Sequence, residues 1–578
     1  MPENRGFDHY FGTMAGVRGF ADANVDMNGN VTIFNQKTDK GGVAYLKPWH
    51  LNYLGGDWKE KTQCIYSGSN GWTANHKAWN HGTNDHWAID QNPYSIGFFK
   101  KEDIPLHFAL AENWVVGDAY QESIMASTSP NRVVLISGSI NSPGGPQQPD
   151  QGGNPYIDNN ETPGCENGIN CYPLKWKTVG EHYEDAGVSW NVFQDLSDNF
   201  DDNPYAWFEQ FQKAKKGSPL NQKGMVGESM QTFYDRAANG SLPQVSFIVG
   251  PMRQSEHTPY SARDGGYLHK KIAEAVIHSP KYSKTALIVS YDETGGWYDH
   301  VNPFHAPEGT PAEWFEDPYG GTGNTIIGPG FRVPFWIISP WTRKGGVYTE
   351  HSDHNSQILF IEKWLAAKGK NVTTNEMVEW RRQNMGDLVA AFDFENPDYS
   401  IPDLPDAPEP DNGGKGHCDT ASHQQPPVPY TGPGAIDDMA SVVEKGFKPI
   451  RGQLTEGRYL VLETDGQALT AQRCSKNTAV RLTPATAKHE KPSQRFVVHQ
   501  IDPYKNDFLI SCLDGRYICG ANILCDDKSQ AVTFTVDFTP SKGYTFHDRS
   551  TSGYLGSRGG LLTSAAAPTH WKIFSVNY

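Results

Sequence analysis

The stretch Thr285-Ala286-Leu287-Ile288-Val289-Ser290-Tyr291-Asp292-Glu293-Thr294-Gly295-Gly296-Trp297-Tyr298-Asp299-His300 decides how this chain is read. Ala286 to Val289 is a short apolar run with β-branched members. It predicts a buried strand in a parallel sheet. The run ends in two adjacent carboxylates, two glycines and, past a short aromatic stretch, Asp299-His300. Open α/β sheets place their chemistry at the carboxyl ends of strands. Two carboxylates there, on a backbone that glycines allow to turn, suit a hard divalent cation. Alone, the same pair is equally an acidic, solvated turn, so the rest of the chain must decide.

A chain of 578 residues exceeds one ordinary core and implies two or more domains. With 37% hydrophobic and 12% aromatic residues it is globular, not disordered. A net charge of -16 gives no electrostatic basis for binding nucleic acid. No apolar run is long enough to span a bilayer. Eight cysteines include no Cys-x-x-Cys pair, which argues against a thiolate zinc site. Cys165 and Cys171 are spaced to close a small disulfide. Glycosylation sequons begin at Asn30, Asn160, Asn239 and Asn371. Paired cysteines and sequons lean toward an exported glycoprotein, although no signal peptide is seen.

In chain order, Glu3-Asn4-Arg5-Gly6-Phe7-Asp8-His9 opens with a carboxylate beside an amide, two oxygen ligands. Residues 20–100 are rich in Gly, Asn, Trp and His, with little periodicity, and predict a surface elaboration with short strands at most. Within it, His76, Trp79, Asn80, His81, His86 and Trp87 suit the lining of a pocket better than a metal site. Lys101 to Val116 predicts a helix leading into a short strand. Ser127-Thr128-Ser129-Pro130-Asn131-Arg132 opens an apolar helix. Its free N–H groups would favour an anion beside the Thr128 hydroxyl, although Ser and Thr also cap helices routinely. Val188–Phe193 and Leu242–Val249 predict strands, the second leading to Ser255-Glu256-His257, and Tyr267–Ile277 predicts an amphipathic helix. This β-α-β alternation predicts a mostly parallel sheet flanked by helices. Val333–Pro340 is a further strand, and His354 precedes a further apolar helix.

Several of these motifs, in this order, resemble the phosphatidylcholine-hydrolysing phospholipase C family, a phosphoesterase family that also contains a group of acid phosphatases. They are Glu3-Asn4-Arg5 with Phe7-Asp8-His9-Tyr10-Phe11-Gly12, His76-Lys77-Ala78-Trp79-Asn80, Thr128-Ser129-Pro130-Asn131-Arg132, Ser255-Glu256-His257, Tyr291-Asp292-Glu293 with Asp299-His300, and Asp353-His354. The resemblance implies an alkaline-phosphatase-like α/β fold and hydrolysis through a covalent phospho-enzyme. It implies Glu3, Asn4, Asp292, Glu293 and Thr128 as ligands of one divalent metal ion (Ca, Zn or Mg). Thr128 would also be the nucleophile, with His257, His300 and His354 as further active-site groups. The acid phosphatases of the family carry serine at the nucleophile position; threonine here favours a phosphodiester. His76, Trp79, Asn80, Trp87 and Asn131 are candidates for substrate binding, the tryptophans as a cage for a choline cation. The implied substrate is a phospholipid at a membrane or micelle surface, and the implied location is extracellular. The family carries an apolar strand before its Glu-Asn pair. Here Met1 and Pro2 precede Glu3, so the pair is expected to lack that support.

The resemblance covers roughly residues 1–395 and implies a phosphoesterase domain over residues 1–396. Residues 397–445 are Pro-rich and polar and predict a linker. From 446 to 578 helical periodicity disappears. Gly457-Arg458-Tyr459-Leu460, Gly515-Arg516-Tyr517-Ile518 and Ser552-Gly553-Tyr554-Leu555 repeat one phrase, which predicts a β-trefoil-like accessory module binding carbohydrate or a lipid surface, with a β-sandwich as the alternative because the spacing is uneven. Two other functions compete with the phospholipase reading: a phosphomonoesterase of the same fold, and a non-catalytic surface-binding protein.

Overall fold

The structure, a computed structural model of the chain, describes residues 1–155, 157, 173–317, 321–411, 416–419, 424–558 and 561–578. Cys165, Cys171 and the sequon at Asn160 lie outside the described residues. The other three sequon asparagines are exposed.

Strands β1 (Val115–Gly117), β2 (Trp190–Phe193), β3 (Val245–Ile248), β4 (Leu287–Ser290), β5 (Phe335–Ile338) and β6 (Val347–Tyr348) belong to the region that precedes residue 397. The order β4-β5-β1-β6 forms one sheet, and β2-β3 forms a second. The expectation of a mostly parallel sheet is corrected. β2–β3 and β1–β6 run parallel, whereas β4–β5 and β5–β1 are antiparallel, with Leu287 opposite Ile338 and Trp336 opposite Val116. The connection explains the reversal. A parallel return needs a crossover, and the described residues between β4 and β5 hold a hairpin, Trp314–Glu316 with Asn324–Ile326, but no helix.

Six helices matter for the site: α1 (Phe7–Phe11), α2 (Trp72–Trp79), α3 (Pro105–Asn113), α4 (Thr128–Ser137), α5 (Ala262–Ile277) and α6 (His354–Ala366). Helix α2 was not foreseen. Its Asn, His and Trp are weak helix formers, and burial of Trp72, Asn75, His76, Ala78 and Trp79 fixes it instead. Between the β3 and β4 edges lies a groove of about 950 Å³, lined among others by Phe247, Val249, Leu287, Val289, Glu3 and Arg132.

Described residues of the 397–445 span lie on this region rather than free of it. Cys418 is disulfide-bonded to Cys64, and the hydroxyls of Tyr53 and Tyr94 donate to the carbonyls of Pro427 and Pro426. Strand β7 (Gly446–Arg451) then pairs in parallel with β6, so the C-terminal region continues the sheet. Phe7, Trp336, Ile450, Leu460 and Phe496 belong to one continuous apolar core.

From residue 446 onward the chain is all-β apart from short turns. Tyr459–Thr464 pairs with Phe496–Gln500, which pairs with Asp507–Cys512, which pairs with Phe534–Thr539, which pairs with Gly543–Asp548. Tyr544 bridges to Trp571, and the adjoining Lys572–Asn577 pairs back to Tyr459–Thr464, closing a ring. Three hairpins flank it: Gln467–Thr470 with Arg481–Pro484, Tyr517–Cys519 with Ile523–Cys525, and Gly553–Arg558 with Leu561–Ala565. Disulfides join Cys474 to Cys512 and Cys519 to Cys525.

Candidate active site

Thr128 is the first residue of α4, and Ser127 before it makes no side-chain cap. The Thr128 hydroxyl therefore stands at the positive end of the helix dipole, a setting that favours negative charge. The Thr128 Oγ1 lies 3.3 Å from Glu3 Oε2 and 3.5 Å from Asn4 Oδ1.

Residues 1 and 2 form no strand, as expected, and backbone bonds from two sides hold the N-terminal pair instead. Glu3 N–H donates to Ser255 O at 2.8 Å, and Asp292 N–H donates to Pro2 O at 3.2 Å. Arg5 N–H donates to Glu293 O at 3.1 Å. Asn4 has a φ of 54° and sends its N–H to Asp292 Oδ1 at 3.0 Å. An asparagine tolerates that left-handed backbone better than most residues.

Arg132, one helical turn after Thr128 and so on the same face, inserts among these carboxylates. Its guanidinium pairs with Glu3, lies 3.2 Å from Asp202 Oδ2, and has Nε 3.4 Å from Asp292 Oδ2. Burial raises the pKa of Glu3 and of Asp292 to about 7 each, against the opposing pull of Arg132. Burial likewise lifts Asp202 to about 6. Asp292 Oδ2 is buried and accepts no hydrogen bond. A buried carboxylate oxygen without a donor is costly, and together with the oxygens of Glu3, Asn4 and Thr128 it fits a hard divalent cation. Glu293 is turned elsewhere: Oε1 accepts from Asn70 at 3.0 Å and Oε2 accepts from Gly295 N–H. Four of the five expected ligands thus gather in one place, while the fifth has both oxygens occupied.

The three histidines are placed differently. His257 is half-buried, and its Nδ1 donates to Thr258 O at 2.7 Å, which leaves Nε2 as the acceptor nitrogen. His354 donates from Nε2 to Asp292 O at 2.7 Å and takes the Tyr120 hydroxyl at Nδ1, 3.0 Å away. Burial lowers its pKa to about 4, so the ring is neutral and steadies the Asp292 loop. His300 is enclosed between Asp8 Oδ2 at 2.6 Å and Asp22 Oδ2 at 3.2 Å. Burial opposes its charge, but those carboxylates prevail and raise its pKa to about 9.

His76, Trp79 and Asn80 line one small cavity of about 110 Å³ together with Lys77, His86 and Asp90. His76 is also a strut, its nitrogens facing Trp72 O and Ile326 O. Trp87 and Asn131 are fully buried. Trp87 donates to Asn84 Oδ1 at 2.6 Å, and Asn131 folds the turn ahead of Thr128 by accepting from Ser123 and Ile124 N–H. Neither presents a surface to a headgroup.

Asp202 and the role of Arg132 were missed in the sequence. Arg132 had a signal, its one-turn spacing from Thr128. Asp202 had none, because an Asp/Asn-rich loop reads as solvated. Among the described residues, three further His/carboxylate groups are close enough to hold a cation, His107-Glu256-His269, Asp8-Asp299-His300 and His50-Glu102-Asp103. In each, polar atoms already pair with one another or with an arginine.

The sequence pattern of the Phosphoesterase family matches residues 1–366. A "Non-hemolytic phospholipase C" of Burkholderia pseudomallei is 34% identical over 442 residues, 70% of this chain and 60% of that protein. Another "Non-hemolytic phospholipase C", of Pseudomonas aeruginosa, is 33% identical over 518 residues, 86% of this chain and 70% of that protein. "Phospholipase C A" of Mycobacterium tuberculosis is 33% identical over 427 residues, 69% of this chain and 77% of that protein. The chain thus spans between 60% and 77% of the length of these relatives. A solved alkaline phosphatase superfamily protein from Vibrio parahaemolyticus overlays 62% of this chain and 75% of its own at 10% identity, with a TM-score of 0.26, too loose to carry an argument. The site motifs and a family match over most of the region that holds them lead to one conclusion: this chain belongs to the Phosphoesterase family.

Proposed function

We propose that this chain is a phosphodiesterase of the phospholipase C type, hydrolysing phosphatidylcholine-like lipids to diacylglycerol and phosphocholine through a phospho-threonine at Thr128. The observation that carries the reading is the Thr128 hydroxyl at the start of α4, beside oxygens of Glu3 and Asn4. In the first step Thr128 Oγ1 bonds to phosphorus as the bond to the diacylglycerol oxygen breaks. Glu3 Oε2, the carboxylate oxygen 3.3 Å from the Thr128 hydroxyl, accepts the threonine proton. That proton passes from Glu3 to the accepting Nε2 of His257 and from there to the leaving diacylglycerol oxygen, which departs as the neutral alcohol. Water then releases phosphocholine and restores Thr128. The α4 N-terminus and Arg132 offset the phosphoryl charge. Glu3, Asn4, Thr128 and Asp292 would hold a divalent cation, with Glu293 as a further ligand by family resemblance; when bound it would supply Lewis-acid polarisation.

His300 in this reading anchors its loop rather than meeting substrate. The ring with three hairpins supports a β-trefoil architecture for residues 446–578. Among the described residues three disulfides suit secretion, and no helix is long and apolar enough to cross a membrane.

The test compares a phosphocholine diester with a phosphate monoester, using wild type, Thr128→Ala and Thr128→Ser, each with Ca, Mg or Zn. Thr128→Ala should lose diester turnover by about a thousandfold or more and Thr128→Ser should keep part of it. Undiminished turnover by Thr128→Ala would overturn the nucleophile. Much faster monoester turnover would overturn the substrate class.

A further inference from the structure

Glu256 separates Ser255, which receives the Glu3 N–H, from His257. Its φ is 75°, a left-handed backbone that a glutamate holds only when its surroundings enforce it. The enforcement comes from its side chain, which is fully buried. Oε1 accepts from His107 Nε2 at 2.9 Å and faces His269 Nε2 at 3.1 Å. Oε2 accepts from the hydroxyls of Tyr10 and, at 2.7 Å, of Tyr291. Four donors occupy the carboxylate, so it needs no cation. Burial opposes its charge, but the neighbours, His107 first, outweigh burial and hold its pKa below the usual carboxylate range. The backbone carbonyl of Glu256 also accepts Arg5 Nε at 2.9 Å. On α5, a Cβ at Gly265 would lie 2.0 Å from the Glu256 side chain, so glycine there makes the room.

The donors belong to the segments that build the site. Tyr10 lies on α1, directly after the Glu3-Asn4-Arg5 segment. Tyr291 immediately precedes Asp292 and Glu293. Glu256 itself precedes His257. His107 on α3 and His269 on α5 fix the carboxylate to the scaffold.

We propose that Glu256 is a positioning residue: a single buried carboxylate that clamps the Glu3-Asn4, Asp292-Glu293 and His257 segments into one register without touching substrate. The catalytic consequence rests on the function proposed above; the clamp is a property of the fold.

Tyr10→Phe and Tyr291→Phe each delete one donor while keeping the ring, and Glu256→Gln keeps the shape while removing the charge. Hydrogen exchange is read at the amides of Glu3, Arg5 and Asp292, whose partners lie across the joined segments. In Tyr291→Phe and Glu256→Gln these should exchange at least about tenfold faster, while amides within α6 keep wild-type protection. In both tyrosine variants kcat for the diester should fall about tenfold with KM unchanged, as expected for misplaced catalytic groups. Wild-type exchange at all three amides in Tyr291→Phe and Glu256→Gln would overturn the clamp. Faster exchange with unchanged kcat in both tyrosine variants would overturn the positioning role. If wild type hydrolyses no phosphodiester, the function proposed above fails, and exchange still decides the clamp.

Discussion

At the residue scale, burial and charge pull against each other throughout this site. His300 shows the balance most plainly. Asp8 and Asp22 raise its pKa from 6.5 to about 9, so the folded state holds a proton that the unfolded chain releases. The stabilisation is therefore complete below pH 6.5 and is lost as pH rises through about 9. A shift of that size corresponds to on the order of 3 kcal/mol. His300→Gln should be less stable than wild type by that order near pH 6 and should lack the alkaline decline. Denaturant melts across that pH range check it, and equal slopes in both proteins would count against the ion-pair assignment. His300, His354 and His257 were indistinguishable as letters. One is enclosed by carboxylates, one is neutral beneath the Asp292 carbonyl, and one keeps an accepting nitrogen, and no local pattern separates those three environments.

At the scale of elements, the α4 start and the turn after Asp292-Glu293 do the positioning. Thr128 opening an apolar helix was legible, because hydroxyl residues before a 3.6-residue apolar period mark a helix start. The turn is more exacting. Gly295 has a φ of +65°, and a Cβ there would stand 2.3 Å from Asn4 O. Gly295→Ala should cost about 1–3 kcal/mol from backbone strain and should weaken cation binding by displacing Asn4. Thermal melts and cation titration of the purified variant measure both, and wild-type affinity would show that the turn tolerates the displacement. The strand before the turn was also legible, but its partners were not. Apolar runs such as Leu287–Ser290 and Phe335–Ile338 specify burial without specifying direction, and the connection between them, with no helix among its described residues, decided the antiparallel pairing.

At the scale of the whole molecule, the C-terminal region is joined to the catalytic region by more than a linker. Arg458 and Asp118 are fully buried and form a two-pronged pair at 2.7 and 2.5 Å, and Asp118 also accepts from Arg18 N–H at 2.7 Å. Arg458→Leu strands that carboxylate and should cost about 3–5 kcal/mol. The loss should appear in calorimetry as a downward shift of one transition shared by both regions; two independent wild-type transitions would contradict the shared core. Arg458 belongs to the phrase Gly457-Arg458-Tyr459-Leu460, which in sequence marks only an internal repeat. The sequence by itself determined the ordered family motifs, the place of Thr128 at a helix start, the all-β character after residue 446 and the acidic strand end at Asp292-Glu293, because each depends on residues close together or on periodicity. Only the tertiary structure decided that Arg132 and Asp202 join Glu3 and Asp292, that Glu293 turns to Asn70, that His300 is held by two carboxylates, and that Arg458 reaches Asp118. Those outcomes depend on burial and charge contributed by segments hundreds of residues apart, which no local pattern encodes.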